Sequence, residues 1–258
     1  MLAPLEAHNI KTILRGIENS ADPEEIYAAT MPTWQLDTKA LMELIGRREI
    51  REVISLLDTW GVPYGKPLRE GYGEYEEEKR LLLLEMGLDR FVLEYYRDGL
   101  EGKSENGRIA RSLLARKIDV ANILNALKFV SERFLPDHLL RYYIRGGAID
   151  EDTFLRLSEL AGVGDLLEAV PAVLRGKEWE GKMEDVDLST PLLLETFLNR
   201  EVRRFVSRTA VERPLTIAVP IAFLYAKYSE VERLRLVAAG ITFTIPRSDL
   251  RGIVESCQ

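Results

Sequence analysis

The sequence predicts an all-α fold of three quasi-repeated helical units, the first of them incomplete. Three observations lead there. The segment Ile118 to Lys128 is echoed without gaps by Leu5 to Arg15 and by Ser229 to Ala239. An acid stands at Glu6, Asp119 and Glu230, followed three positions later by Asn9, Asn122 or Arg233 and then by a mainly apolar run. Other residues keep the same interval. The acids lie 113 and 111 residues apart, Pro23, Pro136 and Pro246 lie 113 and 110 apart, and the pairs Leu36-Asp37 and Ile149-Asp150 lie 113 apart. Glu85 and Glu195, each closing a leucine run and followed by Leu88-Asp89 or Leu198-Asn199, are separated by 110. A fixed period of this kind is the mark of a repeat architecture. Finally, no stretch alternates with a period of two for long enough to form a sheet, whereas apolar residues recur at helical spacing along the chain. The repeat divides it into residues 1–72, 73–186 and 187–258.

Taken in order, Leu5 to Gly16 reads as a helix with Ile10, Ile13 and Leu14 on one face and Gly16 as its stop. Only Met1 to Pro4 precede it, whereas Gly73 to Lys117 precede its counterpart, so the first unit lacks a front half through truncation or natural shortening. Asp22-Pro23-Glu24-Glu25 is a helix start with Asp22 as N-cap. Asp37 caps the next helix, which carries Leu41, Met42, Leu44 and Ile45, and Arg48 to Trp60 forms another. Gly61 to Pro67 reads as a loop, and Glu74 to Tyr96 as one long helix. Ile109 to Val130 is a second long helix, apolar on nearly all sides from Ile118 onward and therefore interior.

Beyond it, a short helix starts at Leu135-Pro136-Asp137 and ends at Arg145-Gly146-Gly147, and Asp150 caps the next. Gly162-Val163-Gly164 separates that from a helix over Asp165 to Leu174. A charged linker spans Gly176 to Asp187, and helices follow over Pro191 to Arg208, Leu215 to Tyr228, Val231 to Gly240 and Pro246 to Val254. Asp119, Asn122 and Asn125 form a polar stripe on an interior helix, and such a stripe must find hydrogen-bond partners, most cheaply across a junction with a neighbouring unit.

Composition bounds the chemistry. With 258 residues, 46% hydrophobic and 30% charged, the chain can bury a sizeable interior. Its net charge of -7 argues against a partner that is mainly a phosphate backbone, leaving room only for a local basic patch. The single cysteine, Cys257, excludes an internal disulfide and a thiolate cage for zinc and points to a reducing, cytoplasmic compartment. The longest uncharged apolar run, Pro214 to Ala226, contains Pro220 and falls short of the ~20 residues a spanning helix needs, so it reads as a buried helix. The N-terminus carries no secretory signal.

Catalytic signals fail one by one. His8 and His138 share no sequence context, Gly102-Lys103-Ser104 has Arg97 where a phosphate-binding loop needs glycine, and Gly162-Val163-Gly164 lacks the third glycine of a dinucleotide site. Glu76, Glu77 and Glu78 are consecutive on a helix and cannot converge on a metal. No catalytic residue, metal site or cofactor is expected. The acid-x-x-Asn pattern recurs from unit to unit, which favours an architectural task over direct partner contact.

Asn9 to Arg15, Asp119 to Ile123, and above all Tyr228 to Gly240 with Ile245 to Arg251 resemble the C subunit of the archaeal and bacterial A/V-type ATPases, whose eukaryotic vacuolar relative is the d subunit. The resemblance covers essentially the whole chain. It implies three all-helical units around a pseudo-threefold axis, forming a funnel, and it departs from the family at Arg233, where the family usually carries Asn, and in the short first unit. The implied role is a non-catalytic rotor part of the central stalk, peripheral to the membrane. The implied partners are the membrane proteolipid ring and the D and F shaft subunits, with neither nucleic acid nor a membrane-spanning segment. Glu6, Asn9, Lys11, Arg15, Asp119, Asn122, Glu230, Arg233 and Arg235 are the candidates for lining the socket. Two other readings fit the residues: a helical-repeat adaptor of another complex, and, more weakly, an all-α enzyme, which would need a deep pocket with convergent acids or bases.

Overall fold

A computed structural model describes residues 3–100, 103–134, 139–175, 179 and 188–242. Among these every regular element is helical, as the sequence predicts. The chain divides into two compact units, Met1–Tyr96 and Arg97–Gln258. Much of the 176–187 linker, Leu135 to His138, the helix expected over Pro246 to Val254, and Cys257 lie outside the described residues.

The first unit begins with α1 (Ala3–Glu18), which buries Ile10, Ile13 and Leu14 on the predicted face. Helix α2 (Pro23–Ala28) starts at Asp22, whose carboxylate accepts from the Glu24 amide at 2.8 Å. Helix α3 (Thr38–Ile45) starts at Asp37, which accepts from Ala40 at 2.8 Å. Each cap satisfies an amide that has no acceptor within its own helix. Helix α4 (Ile50–Thr59) turns Val53, Ile54 and Leu57 into the same core.

The next segment departs from the expected loop and single long helix. Helix α5 runs over Gly65–Glu78 and α6 over Leu81–Gly99. Pro67 sits in the first turn of α5, where a missing N–H costs nothing. Gly65 is there because a Cβ would collide with the Asp58 side chain. Lys79 adopts a left-handed conformation (φ 53°), and its N–H donates to the Tyr75 carbonyl at 2.7 Å, closing α5 without a glycine or proline to announce it. The core is completed by Leu68 from α5 and by Leu84, Leu88 and Val92 from α6.

The second unit is built on α7 (Glu105–Glu132), capped by Ser104 and buried through Ile118, Ile123, Ala126, Phe129 and Val130. Phe129 meets Tyr142, in a short 3-10 turn over Leu139–Tyr142, edge to face at 5.6 Å. Helices α8 (Glu151–Ser158, capped by Asp150), α9 (Val163–Leu174) and α10 (Pro191–Glu212, capped by Thr190) follow. The Arg116 guanidinium of α7 stacks on Phe205 of α10 at 3.8 Å. The two helices expected between Leu215 and Gly240 are one, α11 (Ala218–Thr242): Pro220 falls in its first turn, and Ser229-Glu230 carries no breaker.

The run Pro214 to Ala226 is not the buried segment its composition predicts. Leu215 is 98% exposed and Phe223 60%. Hydropathy records what a helix could bury, and here the helix packs against α10 with only Ala218, Ser229 and Gly240 closed off among the described side chains of α11.

The compact units and the sequence repeats are divided at different places. Each compact unit opens near a repeated helix (α1 or α7), continues through short capped helices, and reaches a leucine-run helix (α6 or α10). A sequence boundary at 72/73 assigns α6 to the following repeat, whereas its leucines fill the core of the first unit.

Candidate functional site

The repeated acid-x-x-Asn pattern turns out to be a buried clamp on the chain's own backbone. In the first unit Asn9 Nδ2 donates to the Met31 carbonyl at 2.6 Å, and the Met31 N–H donates to Asn9 Oδ1 at 2.9 Å. In the second, Asn122 Nδ2 donates to the Ile144 carbonyl and the Ile144 N–H donates to Asn122 Oδ1, both at 2.9 Å. The interval is 22 residues in both. A carboxamide offers one donor and one acceptor side by side, the complement of a single extended residue's N–H and C=O, so it substitutes for a strand partner where no strand exists.

The acids flank the clamps in two ways. Asp119 Oδ1 accepts from the Ile149 N–H at 2.9 Å. Asn125, one step further along the stripe, donates to the Tyr142 carbonyl at 3.2 Å. Gly146 and Gly147 serve this arrangement: Gly146 has φ 113°, and a Cβ on Gly147 would collide with Asp119 Oδ1. In the first unit Glu6 is equally buried but accepts from the Tyr64 hydroxyl at 2.6 Å. Burial, and then this bond to Glu6, push the Tyr64 phenol well above its ordinary pKa. The expectation of bonds across a junction between repeats is thereby corrected: Asp119, Asn122 and Asn125 find their partners 17 to 30 residues downstream, inside their own unit.

The other candidate residues are placed differently. Lys11 Nζ pairs with Asp89 Oδ1 at 2.7 Å. Arg15 grips Glu85 through both oxygens, at 2.5 and 2.7 Å, and the bond to Glu85 raises the guanidinium pKa further. Glu230 is exposed and pairs with Lys227 at 2.8 Å, whose bond lowers the carboxyl pKa. Arg233 Nε donates to the Ser229 carbonyl at 3.2 Å, one turn back on α11. Arg235 lies on α11 with its side chain outside the described set. The structure thus brings Glu6 and Asn9 into one interior and Asp119 and Asn122 into another, and leaves Glu230 facing solvent.

One cluster escaped the sequence reading. Arg200, Arg203, Arg204 and Ser207 on α10 line a cleft of about 260 Å³ with Tyr225 and Arg233 of α11. Their spacing of three, four and seven residues on one helix face was the available signal. Among the described residues no group of His, Cys, Asp and Glu could hold a metal ion, and no helix is long and apolar enough to cross a membrane.

The pattern of the ATP synthase (C/AC39) subunit family matches residues 1–253. The chain belongs to that family. Relatives of the C/AC39 chain agree along nearly its whole length. It is 28% identical over 241 residues to the A-type ATP synthase C subunit of Halorubrum lacusprofundi, covering 93% of this chain and 68% of that one. The corresponding protein of Haloferax volcanii is likewise 28% identical over 244 residues, with the same coverages. That of Methanocaldococcus jannaschii is 25% identical over 252 residues, 96% of this chain and 62% of the relative. Membership in the C/AC39 family makes the chain a subunit of an A/V-type ATPase, as the resemblance implied.

Proposed function

We propose that this C/AC39 chain is a non-catalytic part of the central stalk, a socket that receives the D and F shaft subunits and rests on the membrane proteolipid ring, with its helical units arranged as a funnel. The family match over residues 1–253 carries this reading. Rigidity supports it. A socket that passes torque must not yield, and packed helices locked by buried clamps on their own connecting loops supply stiffness. Because Glu6, Asn9, Asp119 and Asn122 are consumed in that task, we assign partner contact within the candidate set to α11, at Glu230, Arg233 and Arg235. The protein is then held at the membrane surface through the ring.

Calorimetric titration of the purified chain with the D and F shaft proteins, without ring or membrane, tests the reading. Saturable binding with one shaft per chain is expected. No heat and no co-elution at micromolar concentrations would remove the socket role and leave an adaptor within the complex.

A further inference from the structure

The cleft between α10 and α11 has an unusual charge for an acidic chain. Arg200, Arg203, Arg204 and Arg233 line it, and the Lys117 ammonium sits over the Tyr225 ring at 5.3 Å. Acids meet part of this charge: the buried Glu201 pairs with Arg204 at 2.6 Å, and Arg233, after Lys227, helps to hold the Glu230 carboxyl low. Arg233 occupies the position where the first two repeats place the clamping asparagines. Two polar atoms of the cleft residues, Arg200 Nε and the Tyr225 hydroxyl, are buried without a hydrogen-bond partner. Buried donors of this kind call for an acceptor, and guanidinium groups bind carboxylates through paired bonds.

The surface beside the cleft narrows the acceptor's source. Val219, Phe223 and Leu234 are 42%, 60% and 63% exposed and, with Ala226, recur on one face of α11 at helical spacing, interrupted between Ala226 and Leu234 by Glu230, which is paired with Lys227. Ala226 also lines the cleft, so the arginines and the apolar stripe share an edge. A small oxyanion would satisfy the donors and leave the stripe bare. An amphipathic helix covers both, its apolar seam on the stripe and its acids over the cleft. The same pairing already exists within the chain: on α1 the cations Lys11 and Arg15 meet Asp89 and Glu85, spaced four apart on the leucine-run helix α6.

We propose that the α10–α11 surface docks an acidic, leucine-seamed helix of a protein partner, with carboxylates seated on Arg200 and Arg233. The proposal extends the reading of α11 as partner-facing by naming the chemistry of what it meets.

The test is fluorescence anisotropy of the full chain with a labelled synthetic helix bearing a leucine seam and glutamates at i, i+4 spacing, beside a counterpart carrying lysines instead. Saturable binding of the acidic helix alone, weakening steeply with salt, is the expected result. The double variant R200Q/R233Q should bind at least about tenfold more weakly with unchanged melting. Y225F, which keeps the ring under Lys117, should show a smaller loss, and F223S should weaken binding as well. Equal binding of both helices, or undiminished binding by R200Q/R233Q and Y225F, would overturn the proposal. So would complete displacement by millimolar inorganic phosphate together with indifference to F223S, which would mark a small-oxyanion site. Shaft binding measured on the same variants separates the two ideas: a chain that binds D and F but not the acidic helix refutes this inference alone, and the converse refutes the socket alone.

Discussion

A side-chain amide that pairs with one residue's backbone carries more consequence the more completely that residue is removed from water. Ile144 is fully buried, whereas Met31 is 48% exposed. Truncating the amide orphans the same two backbone groups in both units, but the bonds are buried at Ile144 and only partly buried at Met31. Asn122→Ala should therefore destabilise the chain by about 3 kcal/mol and Asn9→Ala by about 1 kcal/mol, measured by urea denaturation. Equal losses would mean that solvent access is not what sets the cost. The clamps were half legible. The repeated acid-x-x-Asn announced a structural task, but its partners are backbone atoms of Met31 and Ile144, and a backbone partner leaves no mark in composition.

Titration adds a second prediction at this scale. Tyr75 donates to Glu18 at 2.6 Å, and burial first, then that bond, hold its phenol above the ordinary range. A proton bound more tightly in the folded chain than in the unfolded one stabilises fully below the unfolded pKa of about 10, and the contribution is lost as pH rises beyond it. Melting temperature should fall above about pH 10, and less steeply in Tyr75→Phe than in the parent. Parallel slopes for the two proteins would show that Tyr75 keeps no tighter hold on its proton when folded.

Among the elements, α6 is the one whose role changed most between sequence and structure. Its helical spacing was evident, but its start was not, because Lys79 closes α5 in a left-handed conformation with a side chain that gives no warning of it. Its acids, read only as repeat markers, anchor it to α1. Arg15 is 55% exposed and Glu85 only 11%, so solvent screens one end of the pair while the other is held in the protein. A double-mutant cycle over Arg15→Ala and Glu85→Ala should return a coupling of about 1 kcal/mol, reduced from that of a fully buried pair by the screening. A coupling near zero would leave α6 held by its leucines alone. Helix α11 shows the opposite failure. Its apolar sequence promised burial, and its exposed Phe223 and Leu234 show that hydropathy reports capacity, while packing neighbours decide whether it is used.

For the molecule as a whole, periodicity revealed the interval between units and left their phase open, because a repeat has no intrinsic starting point. The same spacing of about 110 residues fits a unit that begins with the leucine-run helix or one that ends with it. Packing groups α6 with the helices before it: Leu84, Leu88 and Val92 of α6 complete the core that Ile10, Leu14, Leu44 and Leu57 begin, and Asp89 and Glu85 close on Lys11 and Arg15. A fragment of residues 1–99 retains all of these contacts, whereas one of residues 1–72 ends within α5 and loses every contribution of α6. Removing three buried aliphatic side chains, each worth about 2–5 kcal/mol even when only truncated to alanine, is comparable to the whole margin by which a domain of this size is stable. The longer fragment should melt cooperatively by circular dichroism, and the shorter should show a broad, non-cooperative loss of helix. Cooperative melting of residues 1–72, with nothing gained on extension to residue 99, would place the boundary of the folding unit where the sequence repeat puts it and would reduce α6 to a tether.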